Sequence, residues 1–178
     1  MRLLKALVLA WLCLVTAPAA ALDAINVPLD VEALDLTRAV DRFVDVGDRI
    51  QVSTAPGLDG IVRRIEVRAR EADGVGNWVV FAFTNTSNEQ IDRLLRLANS
   101  RIIWPDLGAS RVVAISPSQG LAPERLDSQE ADVFRVTLDP GAVVTYVVEL
   151  RTANLPQLIL WDEDNYRDSV NATTLYKG

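Results

Sequence analysis

Alternating apolar and polar positions dominate the chain from residue 48 onward and predict extended strands. Residues 48–53 (DRIQVS) alternate, and residues 54–60 (TAPGLDG) supply turn-forming residue types. Residues 61–70 then divide into an apolar side (Ile61, Ile65, Val67, Ala69) and a charged side (Arg64, Glu66, Arg68, Arg70). This pattern is typical of a half-buried strand with one face in water.

Longer apolar runs predict more deeply buried strands. Residues 78–84 (WVVFAFT) are apolar on both faces, which is typical of a central strand. Residues 133–138 and 143–151 flank Asp139-Pro140-Gly141, and a Pro-Gly pair between two β-branched runs predicts a hairpin. Further apolar segments are shorter; they are residues 91–97, 102–104, 111–115 and 157–161. The mostly polar residues 116–132 predict a long connection.

Two segments leave their secondary structure open. Residues 31–46 (VEALDLTRAVDRFVDV) fit a short helix capped by Asp35 or Thr37, but they fit two extended pieces equally well. Residues 91–97 (IDRLLRL) suit either a strand or a helical turn. Several short strands separated by turn signals still predict an all-β fold, an antiparallel β-sandwich in one domain.

The N-terminus has the three zones of a cleavable secretory signal. Arg2 and Lys5 form a positive region, residues 6–15 form an apolar core, and Ala19-Ala20-Ala21 form a small-residue cleavage pattern after Pro18. An apolar helix of about 10 residues is too short to cross a hydrocarbon core of about 30 Å. We therefore predict a signal helix at residues 1–21 and a mature, exported domain at residues 22–178.

Removal of the signal changes the composition in two ways. The mature chain loses Cys13, which is the only cysteine, and Arg2 and Lys5, so that sixteen basic side chains face twenty-four acidic ones. A cysteine-free exported domain of about 157 residues can bury a sufficient core without disulfides, which favours a periplasmic protein. The acidic balance argues against nucleic acid as a partner.

The residue inventory argues against an enzyme and predicts no cofactor. The chain has no histidine, the mature part has no thiol, and Cys/His zinc sites are thereby excluded. The acidic run at residues 162–165 (DEDN) offers oxygen ligands for a cation, but its spacing fits a solvated turn better. A hydrolase using two distant carboxylates stays open, although no particular pair is indicated.

Aromatic and basic residues supply the candidate ligand contacts. Trp78 lies within an apolar strand and is predicted to be core, whereas Trp104 precedes the turn-rich residues 105–108 and Trp161 ends a strand. Arg151 follows an apolar run, where it can bind an anionic ligand or pair with a carboxylate. The predicted ligand-binding residues are Trp104, Arg151 and Trp161. Asn85 and Asn171 each begin a glycosylation pattern, which carries no expectation in a bacterial protein.

Five segments resemble the periplasmic sensor (extracellular) domain of seven-transmembrane receptors with diverse intracellular signalling modules. They are residues 78–85 (WVVFAFTN), 134–141 (FRVTLDPG), 145–151 (TYVVELR), 158–161 (LILW) and 103–110 (IWPDLGAS). The last segment resembles an alphaproteobacterial subgroup whose receptors carry GGDEF or EAL cyclic-di-GMP enzymes. The resemblance implies a jelly-roll-like sandwich that binds a small, carbohydrate-like ligand.

This resemblance implies a non-catalytic input module of a membrane-bound cyclic-di-GMP signalling protein. The parent would then continue beyond Gly178 into membrane helices and a cyclase or phosphodiesterase domain, because no apolar run of about 18 residues occurs in the mature chain. The alternative is a soluble periplasmic β-sandwich that binds another protein through a strand edge or an apolar patch.

Overall fold

A computed structural model describes residues 21–71, 75–98, 111–128, 131–155 and 157–175 of the chain. The described part is mostly β, with one helix near its C-terminal end. Its elements are β1 (Ala24–Asn26), β2 (Ala33–Asp35), β3 (Asp41–Phe43), β4 (Arg49–Ser53), β5 (Arg64–Arg68), β6 (Asn77–Thr84), β7 (Ile91–Ala98), β8 (Val112–Pro117), β9 (Glu124–Leu126), β10 (Ala131–Leu138), β11 (Val143–Leu150), β12 (Leu158–Trp161) and α1 (Glu163–Leu175).

The first sheet is built around β6 and β11. Its strand order is β1-β6-β11-β8, and β3 also pairs with β6. Two short strands share one edge of β6, because β1 runs parallel to Ala82–Thr84 while β3 runs antiparallel to Trp78–Val80. The prediction of a central strand at residues 78–84 is confirmed.

The second sheet has the order β2-β12-β7-β10-β9 and is antiparallel throughout. Residues 91–97, whose type the pattern left open, form strand β7. The Asp139-Pro140-Gly141 turn forms where predicted, and Ala142 N donates to Asp139 O at 3.0 Å. The predicted hairpin is wrong, however, because β10 belongs to the second sheet and β11 to the first.

The two sheets pack face to face and enclose the main hydrophobic core. Alternate residues of β6 and β11 point inward and meet inward residues of β7, β10 and β12. Tyr146 lies in this core with its ring centroid 5.6 Å from both Phe81 and Phe83. The predicted antiparallel β-sandwich is therefore confirmed; its jelly-roll connectivity stays a prediction.

Each sheet also has a covered outer face, which explains why the strands are apolar on both sides. The β4–β5 hairpin covers the first sheet, with Ile50 and Val52 packed against Trp78, Val80 and Val147. Helix α1 covers the second sheet through a smaller cluster of buried or partly buried residues, which are Leu94, Leu126, Ala131, Val133, Trp161 and Tyr166. The prediction that Trp78 is core is confirmed, since the residue is only 1% exposed.

Four local predictions are corrected by the structure. Residues 31–46 form strands β2 and β3 around a turn, so the extended alternative is right and the helix is wrong. Strand β5 begins at Arg64 and not at residue 61, and Ile61 is 53% exposed because it belongs to the preceding loop. The stretch 116–132 contains β9 rather than being only a connection.

The fourth correction concerns the acidic residues 162–164, which begin α1 and do not form a turn. Tyr166 N donates to Asp162 O at 2.9 Å, so Asp162 precedes the first turn of the helix, and acidic side chains are favourable at such a helix start. Within the described ranges, no helix is both long enough and apolar enough to cross a membrane.

Candidate functional site

An open cleft of about 330 Å³ lies beside the crossover from the first sheet to the second. The chain leaves β8 in the first sheet, passes through residues 118–123 and enters β9 in the second. The cleft is lined by this crossover, by the end of β10 and by the first half of β11: Gln119, Gly120, Leu121, Thr137, Asp139, Ala142, Val144 and Tyr146. Its volume is within the range of small-molecule sites.

Side chains alternate between the two faces of β11, and this alternation determines which of its residues line the cleft. Val144 and Tyr146 are two residues apart on β11 and therefore share its inner face, where both belong to the core. The turn before β11 depends on Gly141, whose φ of 71° favours glycine. The turn crosses from the second sheet to the first, and its residues Asp139 and Ala142 line the cleft at this end of the sandwich.

Hydrogen bonds hold the crossover against β11. Ser118 N donates to Thr145 O at 2.7 Å, and Thr145 N donates to the Ser118 hydroxyl at 3.0 Å. The Gln119 side-chain amide donates to Val143 O at 2.8 Å. Leu121, two residues after Gln119, is 90% exposed at the cleft. A large apolar side chain is thus held in water next to a concave surface.

Tyr146 is the most deeply placed polar residue of the cleft. The residue is only 2% exposed, and its hydroxyl has no hydrogen-bond partner among the described residues. Tyr146 is one of the residues that line the cleft. Burial raises the pKa of Tyr146 above its ordinary value, so the side chain offers a neutral hydroxyl that can donate or accept a hydrogen bond.

The rim of the cleft is acidic and carries no basic side chain among the lining residues. Asp139 is exposed, and its carboxylate has no partner within the described part of the chain. Thr137 donates its hydroxyl to Asp92 Oδ1 at 2.5 Å. The carboxylate and hydroxyl groups of the lining can form hydrogen bonds with a small ligand.

Of the three residues predicted from sequence, the two in the described part of the chain, Arg151 and Trp161, do not line this cleft. Trp104 lies outside the described residues. Arg151 forms an ion pair with Glu71, with 2.6 Å between Nη2 and Oε1, which is the structural alternative that the sequence left open. Trp161 packs against Tyr166 of α1 with ring centroids 6.3 Å apart, and its indole N–H is buried without a partner in the described structure.

The cleft residues were missed because the sequence signals pointed elsewhere. The Asp139-Pro140-Gly141 turn was recognised, but it was interpreted as the tip of a hairpin. Tyr146 sits in the run VVTYVVEL and looks like ordinary core. Gln119 and Leu121 lie in residues 116–132, for which the sequence predicts a connection and no binding site. A tyrosine in an otherwise apolar strand, whose buried hydroxyl needs a partner, is the one signal that could have singled out Tyr146.

The acidic residues at the start of α1 are occupied by other protein groups. Asp162 Oδ2 accepts from the Asn165 side-chain amide at 3.1 Å, and Glu163 lies 3.4 Å from Arg135. Asp164 lies 3.4 Å from Arg167. Among the described residues, no group of three or more potential ligands is arranged to hold a metal ion.

The comparison with known families decides the family. The model of the 7TMR-DISM extracellular 2 domain matches residues 70–162, which is more than half of the chain. The chain belongs to this family. Neither a curated protein nor a solved structure matches the chain.

The 7TMR-DISM extracellular 2 family consists of non-catalytic periplasmic sensor domains of seven-transmembrane receptors. The matched residues include every residue that lines the cleft and seven strands, β6 to β12. The β4–β5 hairpin and α1, which cover the two outer faces, lie outside the match. The cleft is therefore part of the sensor domain proper, and family membership implies a periplasmic location.

Proposed function

We propose that this chain is the ligand-sensing input module of a membrane-bound receptor and that it binds a small solute in the cleft beside Tyr146. The observation that carries the proposal is a neutral, unpartnered hydroxyl on a 2% exposed residue that lines an open cleft in a sensor-family domain. Buried polar groups are normally hydrogen-bonded, so a partner supplied by a ligand would satisfy this one.

The cleft supports the small, carbohydrate-like ligand that the resemblance implies. Thr137, Gln119 and Tyr146 supply polar groups around apolar Val144 and Leu121, and sugars present hydroxyls next to apolar C–H faces. The cleft volume of about 330 Å³ suits a ligand of one or two sugar rings. The ligand contacts predicted at Trp104, Arg151 and Trp161 stay proposals; Arg151 and Trp161 would form sites separate from this cleft.

The remaining parts of the receptor are proposals as well. A signal peptide at residues 1–21 would export the domain, and membrane helices following Gly178 would anchor it. A cyclic-di-GMP cyclase or phosphodiesterase would then form the output. For ligand binding to change that output, the ligand must bind two conformations of the domain with different affinities.

A thermal-shift screen of residues 22–178 against periplasmic solutes tests the proposal. A solute that binds only the native state raises the Tm, and the shift grows with solute concentration. Replacing Leu121 by Ala at the cleft should reduce this shift. Leu58→Ala is the matched control, because Leu58 is another leucine, 82% exposed, that does not line the cleft. A broad panel in which no solute raises the Tm contradicts ligand sensing.

One observation favours the alternative of a protein-binding module. Strand β9 pairs only with Val133–Arg135 of β10, so residues 136–138 have no strand neighbour on that side within the described structure. Open strand edges can accept an additional strand from a partner. A photo-crosslinking residue at Thr137 should then capture one specific protein in the periplasm. Crosslinking that is absent or spread over many proteins contradicts this alternative.

A further inference from the structure

The rim of the cleft has an uncompensated negative charge. Asp139 lines the cleft with an exposed carboxylate that has no hydrogen bond or ion pair among the described residues. Arg135, the basic residue nearest in sequence, is instead engaged with Glu124 and Glu163. The described residues that line the cleft include no lysine or arginine. A ligand carrying a carboxylate or phosphate would meet repulsion here, and a protonated amine would meet attraction.

The rest of the cleft lining favours a ligand that has an apolar part next to its protonated amine. Leu121, Ala142 and Val144 present only carbon atoms through their side chains, and Tyr146, which also lines the cleft, carries a neutral hydroxyl. Apolar surface that is removed from water on binding contributes favourably to affinity. The Tyr146 hydroxyl can donate or accept, so it does not discriminate between charge types. Asp139 is therefore the residue that sets the charge preference.

We infer that the cleft selects small ligands that present a protonated amine to Asp139 and an apolar ring or chain to Leu121 and Val144. This inference rests on the proposed function and adds the charge class of the ligand. Since Asp139 is exposed, the preference is modest: we expect the amine to bind about fivefold more tightly than a matched neutral compound.

Three probes that share one ring test the charge preference directly. Cyclohexylamine, cyclohexanol and cyclohexanecarboxylate are each titrated into residues 22–178 at pH 7 and low salt, and the amide signals of Ala142 and Val144 are followed by NMR. The expected order of affinity is amine, then alcohol, with no saturable shift for the carboxylate. Asp139→Asn should weaken the amine about fivefold and leave the alcohol within about twofold.

The charge-matched control is Asp48→Asn, because Asp48 is also exposed and does not line the cleft. This variant should bind all three probes as the parent does. Equal affinities for the three probes, an unchanged amine affinity in Asp139→Asn, or no binding of the amine each overturn the inference. The thermal-shift screen tests ligand sensing independently of charge. A neutral solute that raises the Tm would support the proposed function even if the three probes bind with equal affinity.

Discussion

The Asp132 carboxylate on β10 accepts a hydrogen bond from Arg125 Nη1 on the neighbouring strand β9 at 2.7 Å. Its other oxygen accepts the backbone N–H groups of Arg111 and Val112, at 2.8 and 3.2 Å, at the start of β8. Arg125 Nη2 in turn donates to Val112 O at 2.6 Å. A 5% exposed carboxylate on β10 therefore holds a strand of the opposite sheet.

Replacing Asp132 by Ala should destabilise the domain by about 2–4 kcal/mol, because it removes a buried carboxylate that accepts from Arg125 and from two backbone N–H groups at the start of β8. Urea unfolding followed by tryptophan fluorescence measures the change. The control is Glu124→Gln, which removes an exposed ion pair with Arg135 and should cost less than about 0.5 kcal/mol. Equal effects of the two variants would contradict the sheet-linking role of Asp132.

Asn85 is completely buried and joins the β6–β7 loop to the turn after β10. Its side-chain amide nitrogen donates to Glu89 O at 2.7 Å, Leu138 O at 3.0 Å and Asp139 O at 3.1 Å. The glycosylation pattern at Asn85 therefore has a structural role in the fold, since its nitrogen is already engaged with three carbonyl groups. This side chain fixes one wall of the cleft.

Asn85→Asp should destabilise the domain by about 3 kcal/mol or more at pH 7, because a carboxylate would face three carbonyl oxygens in place of an N–H donor. Chemical denaturation measures the effect. Asn171→Asp, an identical substitution at an exposed position of α1, should change the free energy of unfolding by less than about 1 kcal/mol. A similar small change at Asn85 would show that the three hydrogen bonds contribute little.

Gly76 lies against Gly47 where the chain enters β6. Gly76 has a φ of 73°, and a Cβ there would lie 1.8 Å from Gly47 O. Gly76→Ala should therefore cost about 3 kcal/mol or more, through the left-handed backbone and the backbone clash together. Gly60→Ala is the control, since Gly60 has a φ of 69° but open space around it, and should cost about 1 kcal/mol. The difference in Tm between the two variants isolates the clash.

The raised pKa of Tyr146 predicts a loss of stability in alkaline solution. Burial disfavours the phenolate in the folded state, so the stabilisation is fully present below the unfolded pKa of about 10 and is lost as the pH rises through the folded pKa. The free energy of unfolding should thus fall above pH about 10. Tyr146→Phe should show a shallower fall, measured by urea unfolding at pH 9 and pH 11. Identical slopes for the parent and the variant would contradict this assignment.

Much of the strand content could be predicted because local pattern and burial agree. Residues 49–53 alternate and form β4, and residues 78–84 are apolar on both faces and lie in the centre of a sheet covered on both sides. Residues 31–46 could not be assigned, because strands of three residues are too short to show a period. Such strands form only when longer partners, β6 and β12, are already in place.

At the Asp139-Pro140-Gly141 turn, the sequence predicts the local backbone, but only the tertiary structure decides which strands pair. By themselves, the residues determined a sharp turn between two buried β-runs and a sandwich class, and they predict an exported mature part without Cys13. Only the packing of the sheets decided that the two runs belong to opposite sheets, since turn chemistry specifies the local backbone and not the strand partners. That choice brought Gln119, Asp139 and Tyr146 together around the cleft from the crossover, the turn and β11.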